Sequence, residues 1–394
     1  MKKINVLLTG LGFLAFNVLN SCEKEAALDE PVINQEIVKT FYCEKVKFCH
    51  GTIQSFVTLN QDKKPLSLGV RFSESILNGL PADMHNNVKK AVLTVPKEAK
   101  DIGIDHIDFG WNPEGHEPDP IYTLPHFDLH FYMVSRKDQA AVVPGPDPFT
   151  VSPQFIPADY ISGVVAVPDM GVHYVDVTAP EFNGFTFEKT YIYGFYQGKM
   201  TFWEPMFTRA FLLTKPDFTT AIKQPSVYQK AGYYPTSYSI KYDADKKEYV
   251  VSVQDFKYHK GIKYVPLKGT FQTTSVPLST PSPNIKITGE GEISPLGKAS
   301  FEALSTFIAI PPPPFRLTGT HFLEVENGDK VYTTFSGTSS PSAQANISNL
   351  KIYHTITGGT GKYTNASGHF VATGTANLVT GAGSITYNGE ISEH

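Results

Sequence analysis

The chain has 394 residues, with 34 Lys and Arg against 38 Asp and Glu, a net charge of −4 and 18% charged residues. That balance gives no basic footprint, so nucleic acid is not an expected partner. With 27 Phe, 20 Tyr, 31 Gly and 29 Pro, the composition favours many short strands joined by turns over long helices, and the expected class is mainly β.

At the N-terminus, Lys2 and Lys3 precede a mostly apolar run over residues 4–19, followed by Leu19-Asn20-Ser21-Cys22. That order has the form of a bacterial secretory signal over residues 1–21, and its end resembles a lipobox. Cleavage before Cys22 would leave that cysteine as the lipidated first residue of a tether over 22–40. The alternative, a membrane-spanning helix, is disfavoured because the run falls short of the ~20 apolar residues a span needs, and Asn17 and Asn20 interrupt it. The expectation is a lipoprotein of the cell envelope, held to the outer membrane by its lipid. Periplasmic and surface orientations are both compatible with it.

Cys43 and Cys49 follow. Export favours a disulfide between them. On one straight strand they would lie ~20 Å apart, so pairing requires a turn within residues 44–47. The alternative is two free thiols. A Cys-based metal site lacks the CxxC pair it needs.

A first β-rich domain is expected over 41–257. Its strand-like runs are 55–59, 67–72, 127–134, 173–177, 190–195, 206–213 and 249–253, with short helices over 74–79 and 84–92. Pro144-Gly145-Pro146-Asp147-Pro148 is expected to be a surface loop. Ser, Thr and Pro cluster over 268–284, which suggests a linker over 258–284. From 285 to 394 the chain is rich in Gly, Thr and Ser. Asn327-Gly328 marks a hairpin turn, and Pro311 to Pro314 a stiff extended loop. This second domain is expected to be a small antiparallel β-barrel of calycin-like form.

The most informative stretch runs from Pro125 to Tyr132. As a strand it sends His126, Asp128, His130 and Tyr132 to one face and Phe127, Leu129 and Phe131 to the other. His126 and His130 lie ~13 Å apart on a straight strand, so Asp128 with one histidine is the natural pair. Further ligands must come from elsewhere. His173 sits opposite in face to Asp176, and Glu204 opens an apolar strand. His126 or His130 with Asp128, His173 and Glu204 would make a mixed N/O set for one Zn, Mn, Fe or Cu ion, with His116 and His106 in reserve. Tyr132, Tyr191 and Tyr193 could line the pocket. The competing account is a hydrogen-bonded His–Asp network without metal. His116-Glu117 has no second histidine at Pro120, so no HExxH helix is present. Gly358-Gly359-Thr360-Gly361-Lys362 lacks the Ser or Thr of a phosphate loop and fits a tight turn better, and no GxSxG elbow is visible.

Trp111-Asn112-Pro113, Gly115-His116-Glu117-Pro118, the 125–132 run, Met170-Gly171-Val172-His173, Ile192-Tyr193-Gly194 and Glu204-Pro205-Met206 occur in an order that resembles an uncharacterised bacterial domain family typified by a Thermus hypothetical protein. The resemblance covers about residues 45–215. It implies that His116, His126, Asp128, His130, His173 and Glu204 belong to one site, and it lends no activity. Gly289-Glu290-Gly291, Leu296-Gly297-Lys298, Glu326-Asn327-Gly328-Asp329 and residues 356–363 resemble the allene oxide cyclase barrel-like domains. These are mostly turn residues and imply fold, not cyclase chemistry. Two functions stay open. One is metal-dependent catalysis, with Glu204 or Asp128 as base. The other is a non-enzymatic envelope protein that binds a small ligand or partner, or forms homo-oligomers.

Overall fold

The computed structural model describes residues 38–83, 89–278 and 283–393. The expected signal sequence, Cys22 and the expected tether as far as residue 37 lie outside the described residues, as do residues 84–88 of the expected second helix. From Val38 onward the chain clusters as one compact unit. It is mainly β, as its composition predicts.

Two sheets face each other across a shared core. One has seven strands, ordered Lys39–Tyr42, Gly51–Leu59, Pro65–Ser73, Glu248–Gln254, Ser237–Asp243 and Asp217–Ala221, with Val46–Phe48 also paired to Gly51–Leu59. The other has eight. Its main strands are Lys89–Thr94 (β1), His106–Asn112 (β2), His126–Tyr132 (β3), Tyr160–Val167 (β4), Gly171–Asp176 (β5), Lys189–Tyr196 (β6) and Lys199–Thr208 (β7). They lie in the order β1-β2-β3-β7-β6-β5-β4, closed at the last edge by the short Gly145–Pro146 strand.

The two-residue period of a strand decides which side chains enter the core. Ile107, Phe109 and Trp111 of β2, Phe127, Leu129 and Phe131 of β3, and Trp203 and Phe207 of β7 are all buried in it. Phe72 of the opposite sheet meets Phe109 at 5.2 Å and Phe127 at 6.2 Å between ring centroids. Each such ring contributes on the order of 2–3 kcal/mol by leaving water. Tyr191 and Tyr193 also face this core, so they do not line the site; Ile192 and Gly194 hold the alternate positions.

The outer face of the eight-stranded sheet is covered too. Tyr122, Phe187, Ile192 and Met206 form a small apolar cluster at one end. Gln139, on the short helix Arg136–Ala140, is buried at the other. Every residue of β2 and β3 is therefore buried, polar face included.

Several local expectations change. Residues 89–94 form a strand, not a helix end, because Ala91 and Leu93 alternate inward with Lys90, Val92 and Thr94 outward. The run expected over 206–213 stops at Thr208, whose hydroxyl accepts the Phe211 N–H and caps a short helix, Arg209–Leu213. Cys43 and Cys49 are free. The chain between them has no turn, since Lys39–Tyr42 and Val46–Phe48 follow the same edge of Gly51–Leu59 in succession.

The second domain is a closed barrel of eight antiparallel strands: Tyr264–Pro277 (β8), Asn284–Ser294 (β9), Gly297–Ile308 (β10), Phe315–Val325 (β11), Lys330–Pro341 (β12), Ile347–Gly359 (β13), Gly368–Asn377 (β14) and Ala382–Ser392 (β15). Pairing of β8 with β15 closes it. Most of the segment expected as a linker over 258–284 is thus strand. Residues 257–259 pair with 232–234, and β8 supplies Leu267 and Phe271 to the barrel core. Between β11 and β12 the Asn327-Gly328 turn forms as expected, with Gly328 at φ +84°.

The loop after Pro144 joins the two parts. Ser336 donates to the Pro148 carbonyl, Ser152 donates to the Ile356 carbonyl at 2.7 Å, and Phe149 packs on Tyr353 and His369.

Candidate metal centre

The polar face of β3 lies at the centre of the covered outer surface, and its neighbours decide what each side chain meets. β7 pairs with β3 so that Trp203 opposes Phe131 and Met206 opposes Asp128. That register brings Glu204 beside His130. On the far side of β7, β6 contributes Gly194, which opposes Phe202, and His173 of β5 opposes Gly194. A side chain at Gly194 would collide with the Phe202 ring, its Cβ only 2.0 Å from a ring carbon. The gap at Gly194 seats Phe202, whose ring packs on both His130 and His173 at 4.8 and 5.1 Å.

The six residues separate into two sets, not one. His130, His173 and Glu204 form the inner set, and His116, His126 and Asp128 the outer set. In each, the three ligand atoms lie within 4.8 Å of one another. In the inner set, His130 Nε2 is 3.2 Å from Glu204 Oε1, and His173 Nε2 is 3.6 Å from Oε2. In the outer set, His126 Nε2 is 3.1 Å from Asp128 Oδ1, and His116 Nε2 is 3.7 Å from Oδ2. The single site expected from His126 or His130 with Asp128, His173 and Glu204 is corrected accordingly. Asp128 and Glu204 fall in different sets, each carboxylate facing its own pair of histidines. His116 moves from reserve to full member. His106 belongs to neither set: its ring nitrogens face Asp105 and Gln139, and Tyr132 stacks between it and His130.

The hydrogen bonds fix how the imidazoles point. His126 Nδ1 lies 2.6 Å from the Leu124 carbonyl and His116 Nδ1 lies 2.7 Å from that of Glu117. A carbonyl only accepts, so both Nδ1 atoms carry the proton and both Nε2 atoms turn toward Asp128. Backbone carbonyls orient metal-ligating histidines in this way. Asn112 donates its side-chain amide to Asp128 Oδ2, steadying the carboxylate from β2.

The decisive feature is what these atoms do not do. His126 Nε2, Asp128 Oδ1, His130 Nε2 and Glu204 Oε2 are buried, and none makes a hydrogen bond. The close N–O approaches lack hydrogen-bond angles. An orphaned buried polar atom loses about 1–3 kcal/mol, and these four converge in two places where a common partner would satisfy them. A cation between nitrogen and oxygen lone pairs supplies one.

Electrostatics separate the sets. In the inner one, burial presses the pKa of His130 down to about 4 and of His173 to about 3. Burial, with the Asp128 charge added, raises Glu204 well above the usual carboxyl range. All three shifts favour the uncharged form, which leaves imidazole lone pairs available to an ion. In the outer set burial opposes the charge on Asp128, but His126 and His116 outweigh it and hold the carboxyl well below its usual value. His116 is likewise opposed by burial and raised overall by Asp128 and Glu117.

The buried His, Asp and Glu groups can thus hold metal. Asn112 and Gly194 figured in the sequence only within the motifs that carry the resemblance, not as site residues, and Phe202 was not singled out. The alternation of His106, Asp108, Gly110 and Asn112 against Ile107, Phe109 and Trp111 carried the signal for Asn112. Comparison with protein-family models, with curated proteins and with solved structures found no match, so functional assignment rests on this geometry.

Proposed function

We propose that the protein is a lipid-anchored bacterial envelope protein that binds divalent transition-metal ions, one in each His₂–carboxylate set, and uses an ion to activate water for hydrolysis. The observation that supports this most is the convergence of His126 Nε2, Asp128 Oδ1, His130 Nε2 and Glu204 Oε2 as buried atoms without hydrogen bonds. Two imidazoles and one carboxylate are a ligand set for Zn²⁺ or Fe²⁺, and three protein ligands leave positions open, as catalytic sites require. A bound ion lowers the pKa of its water to about 7. Both carboxylates are ligands in this arrangement, so neither is the base expected from sequence. His116 and His173 keep partial exposure, with side chains 37% and 19% accessible, and mark the side from which a substrate would enter.

The N-terminal signal and lipobox-like Cys22 support the anchor. The resemblance of residues 45–215 to the uncharacterised bacterial family pointed to these six residues as one site; the reading proposed here divides them into two adjacent sets.

Elemental analysis of untagged protein from residue 23 onward tests the metal. We expect two transition-metal ions per chain, with His126→Ala and His173→Ala each removing one. Metal retained in full by both variants would overturn the assignment. For the anchor, Cys22→Ala should move the protein out of the membrane fraction, and failure to do so refutes lipidation.

A further inference from the structure

A cleft of about 520 Å³ opens where the sandwich meets the barrel, away from both histidine sets. Its volume falls in the ~300–1,000 Å³ range of small-molecule sites, and such sites favour domain junctions. Met133, Phe155, Met200 and Tyr228 give it an apolar floor. Tyr228 stacks on Tyr234 with ring centroids 3.6 Å apart.

The walls are held in place. Gln229 accepts the Met200 N–H and donates to the Gly198 carbonyl, tying its loop to the β6–β7 turn. Residues 232–234 pair with 257–259, and Ile262 N–H donates to the Gln229 carbonyl. Gly261, at φ +71°, lies so close to Ala231 that a Cβ would come within 2.4 Å of its nitrogen.

Lys230 and Lys260 lie just outside these paired segments, exposed at the rim. Of the four lysines lining the cleft, Lys199 pairs with Glu390 at 3.3 Å and Lys263 with Glu393 at 2.7 Å. Neither Lys230 nor Lys260 has a carboxylate within ion-pair reach among the described residues. Both ammonium groups are therefore free to make charge-assisted hydrogen bonds to an anion seated at the rim.

We propose that this cleft binds a small amphipathic organic anion, its apolar or aromatic body on Met133, Phe155, Met200 and Tyr228 and its acidic group between Lys230 and Lys260. The site is independent of the metal reading, since it shares no residue with either histidine set.

Anilinonaphthalene sulfonate, an aromatic body bearing one sulfonate, is the probe. Fluorescence titration of chelator-treated protein should give a single class of site. Lys230→Glu with Lys260→Glu should weaken it at least about tenfold, the loss of charge-assisted contacts. Phenylnaphthylamine, which has the same body and no sulfonate, should be affected less than twofold. Lys230→Gln with Lys260→Gln gives the same test without charge reversal, and thermal melts confirm folding of each variant. Sulfonate affinity within twofold of wild type overturns the proposal. Equal weakening of both probes also overturns it, because the lysines would then shape the wall and not recognise the anion.

Discussion

The protein buries histidines in two places and treats them in opposite ways. In the barrel, Tyr387 OH lies 3.2 Å from His321 Nε2, His321 Nδ1 lies 3.1 Å from the Thr333 hydroxyl, and that hydroxyl lies 3.0 Å from His354 Nδ1. His354 stacks on Phe370 at 4.4 Å. No histidine nitrogen of the barrel is among the buried atoms left without a partner. On the sandwich face, two imidazoles at comparable depth point at carboxylates and make no hydrogen bond there. Burial alone does not distinguish a ligand from a structural histidine; the identity and angle of the neighbour do. Hydroxyls close a network by adapting their proton, whereas a carboxylate oxygen facing an imidazole lone pair sets two acceptors together, a pairing that a cation can join.

The largest test of this contrast is Asp128→Ala combined with Glu204→Ala, which should abolish metal binding by elemental analysis. His321→Phe should leave metal content untouched. Loss of metal in the barrel variant would erase the distinction.

Acid should expose the barrel next. Its His321 is pressed down to about 3 by burial, while in the unfolded chain it titrates near 6.5. As pH falls from about 6.5 toward 3 the unfolded state takes up a proton that the folded state refuses. Stability is therefore full above the unfolded value and falls by about 1.4 kcal/mol per pH unit within that window. Urea midpoints of His321→Phe should show a shallower acid slope than those of wild type.

Metal should stabilise the sandwich by a comparable but smaller amount. An ion at a hundredfold its Kd adds about 2.7 kcal/mol, read as a rise in Tm that chelator reverses. Asp128→Ala with Glu204→Ala should not respond. The smallest effect is Thr333→Val, which strands two imidazole nitrogens and should lower stability by about 1–3 kcal/mol with full metal content.

Much of this was legible in the sequence because period-two alternation survives burial. β3 announces its two faces residue by residue, and the rarity of polar groups on a buried strand marks His126, Asp128 and His130. What the sequence withheld was adjacency. Glu204 meets His130 only because β7 lies beside β3, and no local pattern encodes that pairing across seventy-odd intervening residues. His116 arrives on a loop with no period at all. The barrel's first strand passed for a linker because only Leu267 and Phe271 point inward along its buried positions, and the Thr, Ser and Lys between them read like a tether.

Asp128 and His130 stand two places apart on one backbone, so the proposed ions would be next-door tenants, roughly 7 Å from each other. Like-charged occupants at that range repel strongly in a dry setting. Loading therefore proceeds in sequence, the first arrival lowering the affinity of its neighbour, and a titration should resolve two steps instead of one.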